Sequence, residues 1–188
     1  MYTFAACDNV AHATGSGDAV SNERPIEGPE ILDALAASGI EIVVSVPDIT
    51  TSQGLLWPLT QDKRFRLVRV CKEDEGVSIC GALSFTGKRA LLLIQYTGLL
   101  DSINALRAAG CEYKLPIALM VGLLEKEPGV PPKQSQRYGV RIVEPILEAM
   151  GVPHDLFELA SDAPRIRPAI DKSFEESWPT ALLIGRRM

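Results

Sequence analysis

Three short polar clusters hold most of the side chains in this sequence that can do chemistry. Lys72-Glu73-Asp74-Glu75-Gly76 sets three carboxylates in succession, and Val46-Pro47-Asp48-Ile49-Thr50-Thr51-Ser52 joins an acid to three hydroxyls. Gln95-Tyr96-Thr97-Gly98-Leu99-Leu100-Asp101-Ser102 gathers an amide, hydroxyls and an acid around a glycine. A carboxyl that shares a proton with a bound base is the chemistry these residue types offer. Each cluster also has a plainer reading. The first is acids in a helix's first turn, favoured by the macrodipole. The second is a Pro-Asp turn, and the third a glycine turn followed by a Ser or Asp cap. Each plain reading explains one cluster, and none explains why all three follow apolar runs. A fourth segment, Glu125–Gly139, is long for a strand-to-helix connection and holds Lys126, Lys133, Gln134 and Arg137. It reads as a solvated loop or as a lid on which Lys133 or Arg137 meets an acidic group, arginine offering a bidentate fork.

Short β-rich apolar runs at residues 42–46, 65–70, 90–95, 117–123 and 181–184 predict strands, with helical patterns between them. The first helix opens at Pro29, carries Ile31, Leu32, Leu35 and Ala36 on one face, and meets Gly39 where a C′ glycine belongs. The second runs from Glu73 to Phe85 with Val77, Cys80 and Leu83 on a stripe and Gly87 closing it. Further helices are expected over 99–109, 142–150 and 167–176. The runs Leu91–Ile94 and Ile117–Val121 are continuously apolar, as parallel strands covered on both faces are. The fold class is therefore α/β: a doubly wound, mostly parallel sheet with helices on both faces. Such sheets bind ligands beyond the carboxyl ends of their strands, where the polar clusters fall.

With 188 residues and 46% apolar content, the chain is expected to form one domain over 28–188, preceded by a flexible extension over 1–27. Nineteen basic against 24 acidic residues give a net charge of −5 without a basic run, so nucleic-acid binding is not expected. No apolar stretch is long enough to span a membrane, and no secretory leader pattern opens the sequence. Four cysteines without C-x-x-C spacing and two histidines support neither a zinc site nor a disulfide framework. Reduced thiols in a cytoplasmic protein are the expectation. No G-x-G-x-x-G, P-loop or G-x-S-x-G sequence occurs, which disfavours nucleotide-binding and hydrolase readings.

The run Lys72 to Cys80, then Thr86-Gly87-Lys88, then Gln95 through Ser102-Ile103-Asn104-Ala105-Leu106, resembles the pyrimidine-binding domain of thiamine-diphosphate enzymes. Within them it is similar in particular to the α subunit of sulfopyruvate decarboxylase and the matching half of phosphonopyruvate decarboxylase. Val46-Pro47-Asp48 and Glu127-Pro128-Gly129-Val130 extend the likeness over roughly residues 29–185. The resemblance implies a glutamate that bonds a nitrogen of the cofactor's aminopyrimidine and favours its imino tautomer. The cofactor then serves as electron sink while a 2-oxo acid loses carbon dioxide. Among the three acids, Glu73 fits the family spacing best, placing Gly76, Cys80 and Ala82 at small-residue positions; Glu75 is the runner-up. The implied cofactor-binding residues are Pro47, Asp48, Glu73, Gln95, Thr97 and Gly98, and the implied substrate-binding residues are Asp48, Lys133, Gln134 and Arg137.

Two departures stand out. Relatives carry Gln-Asn-Ser-Gly-Leu-Gly-Asn where this chain has Gln95 to Asp101, and often Trp-Arg-Gly where it has Leu123-Leu124-Glu125. The Gly-Asp-Gly and Asn-Asn pair that holds the diphosphate through Mg²⁺ does not occur. The resemblance therefore implies a β subunit carrying the diphosphate- and Mg²⁺-binding domain, in a homo- or hetero-oligomer, with no metal held by this chain. The expected function is the α subunit of a two-subunit 2-oxo acid decarboxylase acting on a sulfopyruvate- or phosphonopyruvate-like substrate. A noncatalytic paralogue of the same fold, or a carboligase half, is the alternative.

Overall fold

The computed structural model describes residues 23–188. The strands are β1 (Ile42–Ser45), β2 (Arg66–Arg69), β3 (Ala90–Gln95), β4 (Ala118–Gly122), β5 (His154–Phe157) and β6 (Thr180–Ile184). The α-helices are α1 (Gly28–Ala37), α2 (Trp57–Gln61), α3 (Glu73–Phe85), α4 (Tyr96–Asp101), α5 (Ile103–Leu106), α6 (Tyr138–Ala149) and α7 (Ile166–Glu176). All strands pair in parallel in the order β2-β1-β3-β4-β6-β5. From β1 the chain winds outward to β2, then returns to place β3 on the other side of β1. The direction of winding thus reverses between β1 and β3, and the crevice at such a reversal is where doubly wound sheets bind ligands.

Alternation along the central strands explains the two layers. Leu91 and Leu93 of β3 face a core shared with α1, α2 and α7, while Leu92 and Ile94 face a second core shared with α3, α5 and α6. Every residue from Ala90 to Ile94 is buried, which is why this strand reads as a continuous apolar run. The helices sit tightly on this sheet. A Cβ at Gly76 of α3 would overlap Leu92, and one at Gly28 of α1 would overlap the Gly54 carbonyl.

Several elements differ from the sequence expectation. β5 is an edge strand with only Phe157 fully buried, so it shows no apolar run. Residues 52–61 form a π-helical turn, Ser52–Leu56, leading into α2, with Leu55, Leu56 and Leu59 buried around Gly54 and Pro58. The third helix begins at Tyr96 rather than at 99 and breaks at Ser102, whose hydroxyl donates to the Gly98 carbonyl at 2.8 Å. Hydroxyls bonded back to a preceding carbonyl bend helices in this way. The helix expected from 142 begins at Tyr138.

The expected extension lies outside the described residues up to position 22. Its last residues are part of the fold: Ile26 is buried, its N–H donates to the Glu158 carbonyl at 3.0 Å, and Pro25 bridges Leu159. Among the described residues, no helix is long and apolar enough to cross a membrane.

Candidate active site

The three acids that open α3 have different surroundings. Glu75 turns its Oε2 back to accept the N–H groups of Cys71 (3.1 Å) and Lys72 (3.4 Å), satisfying donors that the helix start leaves orphaned. Asp74 is half-buried, with Oδ1 accepting the Glu75 N–H at 3.0 Å and Oδ2 lying 4.0 Å from Lys72 Nζ. Glu73 is half-buried and has no hydrogen-bond or ion-pair partner among the described residues. Its carboxylate lies directly on the Cα of Gly98, where a Cβ would overlap Oε1, Cδ and Cγ. A carboxyl that is held in place without being neutralised keeps its lone pairs for a ligand.

The backbone of the β3 exit builds the seat for that carboxylate. Gln95 caps α4 with extended backbone, and its Oε1 accepts the Thr97 hydroxyl at 3.0 Å. Gly98 is buried in the first turn of α4, and Ser102, fully buried, bonds back to it. Beyond it, Asp101 Oδ2 lies 3.2 Å from Lys72 Nζ, tying the end of α4 to the start of α3. That hydrogen bond holds the Lys72 ammonium above its ordinary value. Tyr96 lies across Gly139 of α6, where a Cβ would overlap its ring. Gly76 and Cys80 face inward as small residues, whereas Ala82 is exposed. Burial pushes the Cys80 thiol up to about 12, so it stays protonated and inert.

The structure gathers Glu73, Gln95, Thr97 and Gly98 at the β3 exit, and places the other candidates elsewhere. Asp48 is 8% exposed and spends both oxygens on its own loop. Oδ1 accepts the N–H groups of Thr50 (2.6 Å) and Thr51 (2.9 Å), and Oδ2 the Thr51 hydroxyl (2.6 Å). It shapes the β1 exit, and its lone pairs are engaged. Pro47 is exposed on a cleft of about 300 Å³ with Leu56, Trp57, Leu67 and Arg69. In the segment after β4, Lys133 Nζ pairs with Glu148 at 2.5 Å and Arg137 with Glu125 at 2.6 Å, while Gln134 ends an exposed 3₁₀ turn. Lys126 is buried and pairs with Glu158 at 2.6 Å. A separate cleft of about 140 Å³ beside His154 and Trp178 opens at the amino ends of β5 and β6, the opposite end of the sheet.

Residues to which the sequence reading gave no site role include Tyr96, Ser102 and Arg187. Ser102 sits in a stretch that reads as uninterrupted helix, and Arg187 follows the last strand without any pattern around it. Among the described residues, no group of three or more His, Cys, Asp or Glu side chains converges as metal ligands do.

The chain is similar to the α subunits of sulfopyruvate decarboxylase. It is 28% identical over 159 residues to "Sulfopyruvate decarboxylase subunit alpha" of Methanococcus maripaludis, covering 82% of this chain and 91% of that subunit. To the protein of the same name from Methanocaldococcus jannaschii it is 27% identical over 158 residues, covering 81% of this chain and 89% of that subunit. To "Sulfopyruvate decarboxylase" of Methanosarcina acetivorans it is 25% identical over 164 residues, 85% of this chain but 40% of that protein. No protein-family model matches the chain.

Proposed function

We propose that this chain is the pyrimidine-side α subunit of a two-subunit, thiamine-diphosphate-dependent decarboxylase whose substrate is sulfopyruvate. The observation that carries the reading is Glu73: a half-buried carboxylate seated on Gly98, without a partner among the described residues, at the carboxyl edge of the sheet. The similarity to two proteins named as decarboxylase α subunits, and to a longer Methanosarcina protein named sulfopyruvate decarboxylase, supports the reading.

The donor set fits the pyrimidine end of the cofactor. Glu73 offers one carboxyl to a ring nitrogen, and the Gln95 amide and Thr97 hydroxyl lie on the same strand exit. When bound, thiamine diphosphate supplies the nucleophile for the 2-oxo group and the sink for the electron pair left by carbon dioxide. With the cofactor bound, Glu73 would share a proton with the ring nitrogen, and Gly98, having no side chain, leaves the space that the carboxylate occupies. Ser102 holds the Gly98 turn, and the Leu99 side chain closes the core beneath it. The Mg²⁺ and diphosphate are assigned to a β-type partner, which also covers the exposed Trp57 and Ile49 beside the β1 exit. The complex is placed in the cytoplasm.

The test is reconstitution with a partner that carries Gly-Asp-Gly and Asn-Asn. Carbon dioxide release from sulfopyruvate is expected only when both subunits, thiamine diphosphate and Mg²⁺ are present. Turnover that persists undiminished in Glu73→Gln, or that never appears with any such partner, overturns the reading.

A further inference from the structure

Across the ends of β3 and β4 from Glu73 lies a cleft of about 270 Å³ lined by residues 49–50, 123–126 and Arg187, Glu125 among them. Three exits of the sheet meet there: the loop after β1, the loop after β4 and the residues after β6. Its place relative to Glu73 follows from the strand register. Gln95, which opens the Glu73 seat, pairs with Gly122 of β4, and Thr50 rests on Gly122, where a Cβ would lie 2.8 Å from the Thr50 Cβ. The cleft and the Glu73 seat therefore flank neighbouring strand ends, which in a sheet are about 4.8 Å apart.

The charges at this cleft do not balance. Glu125 is answered by Arg137, and Lys126, its side chain fully buried, is answered by Glu158. Arg187 is exposed and has no acidic partner within ion-pair distance among the described residues. The hydrogen bonds do not balance either. Among the described residues two buried side-chain polar atoms lack a partner, the Thr50 hydroxyl and Arg186 Nε. The first belongs to a wall of this cleft, whereas Arg186 does not line it. Buried polar groups are almost always paired, so the Thr50 orphan in the cleft wall marks a missing partner.

We propose that this cleft binds the second acidic group of the substrate, a sulfonate, with Arg187 as its charge partner and the Thr50 hydroxyl as a donor. A guanidinium fork matches a group with several equivalent oxygens. The inference deepens the proposed function and rests on it for the identity of the substrate. The anion site itself is tested without turnover.

Sulfoacetate and acetate, which differ by the sulfonate, are titrated into the full chain at constant ionic strength by calorimetry. Saturable binding of sulfoacetate and none of acetate is expected. Arg187→Ala should weaken binding about tenfold to a hundredfold, the loss of one charged hydrogen bond, and Arg187→Lys should restore part of it. Thr50→Val, close in shape, should weaken it several-fold at unchanged melting temperature. Lys88→Ala, which removes the same charge at the other end of the sheet, should bind as wild type. Equal affinity in wild type and Arg187→Ala, parallel loss in Lys88→Ala, or loss in Arg137→Ala in place of Arg187→Ala overturns the proposal. In the reconstituted complex, Arg187→Ala should raise KM for sulfopyruvate and leave KM for pyruvate unchanged. Arg187-dependent sulfoacetate binding without any 2-oxo acid turnover would refute the decarboxylase and leave the anion site standing.

Discussion

The exits of β3 and β4 are neighbours in the sheet and opposites in their electrostatics. After β4, the cations Lys126, Lys133 and Arg137 are each paired with a glutamate of this chain. After β3, Gly98 and the bent helix behind it support a carboxylate from α3 and give it no partner. Charges that a protein neutralises internally hold its shape. A charge that it positions and leaves open costs stability and is kept for something that arrives later.

The sharpest break of this contrast is Glu73→Gln, which should reduce turnover of the reconstituted enzyme about 10²–10⁴-fold, since the amide cannot share the proton. Glu75→Ala, which removes the acceptor of the Cys71 and Lys72 N–H groups, should leave kcat close to wild type and cost about 0.5–1.5 kcal/mol in a denaturation curve. On the paired side, Lys126→Ala should destabilise the fold by about 3–5 kcal/mol, because it leaves the Glu158 charge without its partner; a urea midpoint measures this. Replacing both partners by apolar residues should recover most of that loss. Gly98→Ala places a methyl where the Glu73 carboxylate sits, and a displacement of about 1 Å is worth about 10²-fold in kcat. Far-UV dichroism should remain that of wild type.

Acid titration separates the sides more gently. Arg89 holds the Asp171 carboxyl below the usual carboxylate range. Burial alone would raise the Asp162 carboxyl, but the N–H groups of Glu158 and Leu159, with Arg165, outweigh it and hold it low as well. Depressed folded values mean that both contributions are complete above the ordinary aspartate value of about 3.9 and vanish as pH falls through the lower folded values. Stability should thus stay level from neutrality to about pH 4 and drop below it, and Asp171→Asn should flatten that drop. The smallest effect belongs to Arg137→Ala. Its exposed pair with Glu125 is worth at most about 1 kcal/mol, and a melting curve should barely move.

The two-sided burial of β3 and β4 is visible in the sequence as unbroken apolar runs, and the parallel sheet follows from them. β5 was not visible, because an edge strand with one fully buried side chain leaves no run to read. Glu73 and Glu75 were separable only by spacing. The structure adds the physical distinction, since one carboxylate caps its own helix and the other does not. The Glu73–Gly98 contact joins residues from two separate strand exits, and nothing local in either segment records it. Lys133 and Arg137 show the converse: residue type suggested a ligand, and the partner acids Glu148 and Glu125 are visible only in three dimensions.

The strand order also governs when the molecule can be finished. β6 is made last yet lies between β4 and β5. As the chain leaves the ribosome, β4 can already pair with β3, but its other edge and the whole of β5 have no partner until β6 emerges. The contacts of α1 with α7, and of Arg89 with Asp171, wait as well. A nascent chain stalled before residue 180 therefore exposes the apolar flank of β4 as an open edge, the kind of surface that recruits chaperones or aggregates. The strand that comes last in the sheet's chain order thus acts as the wedge that closes it.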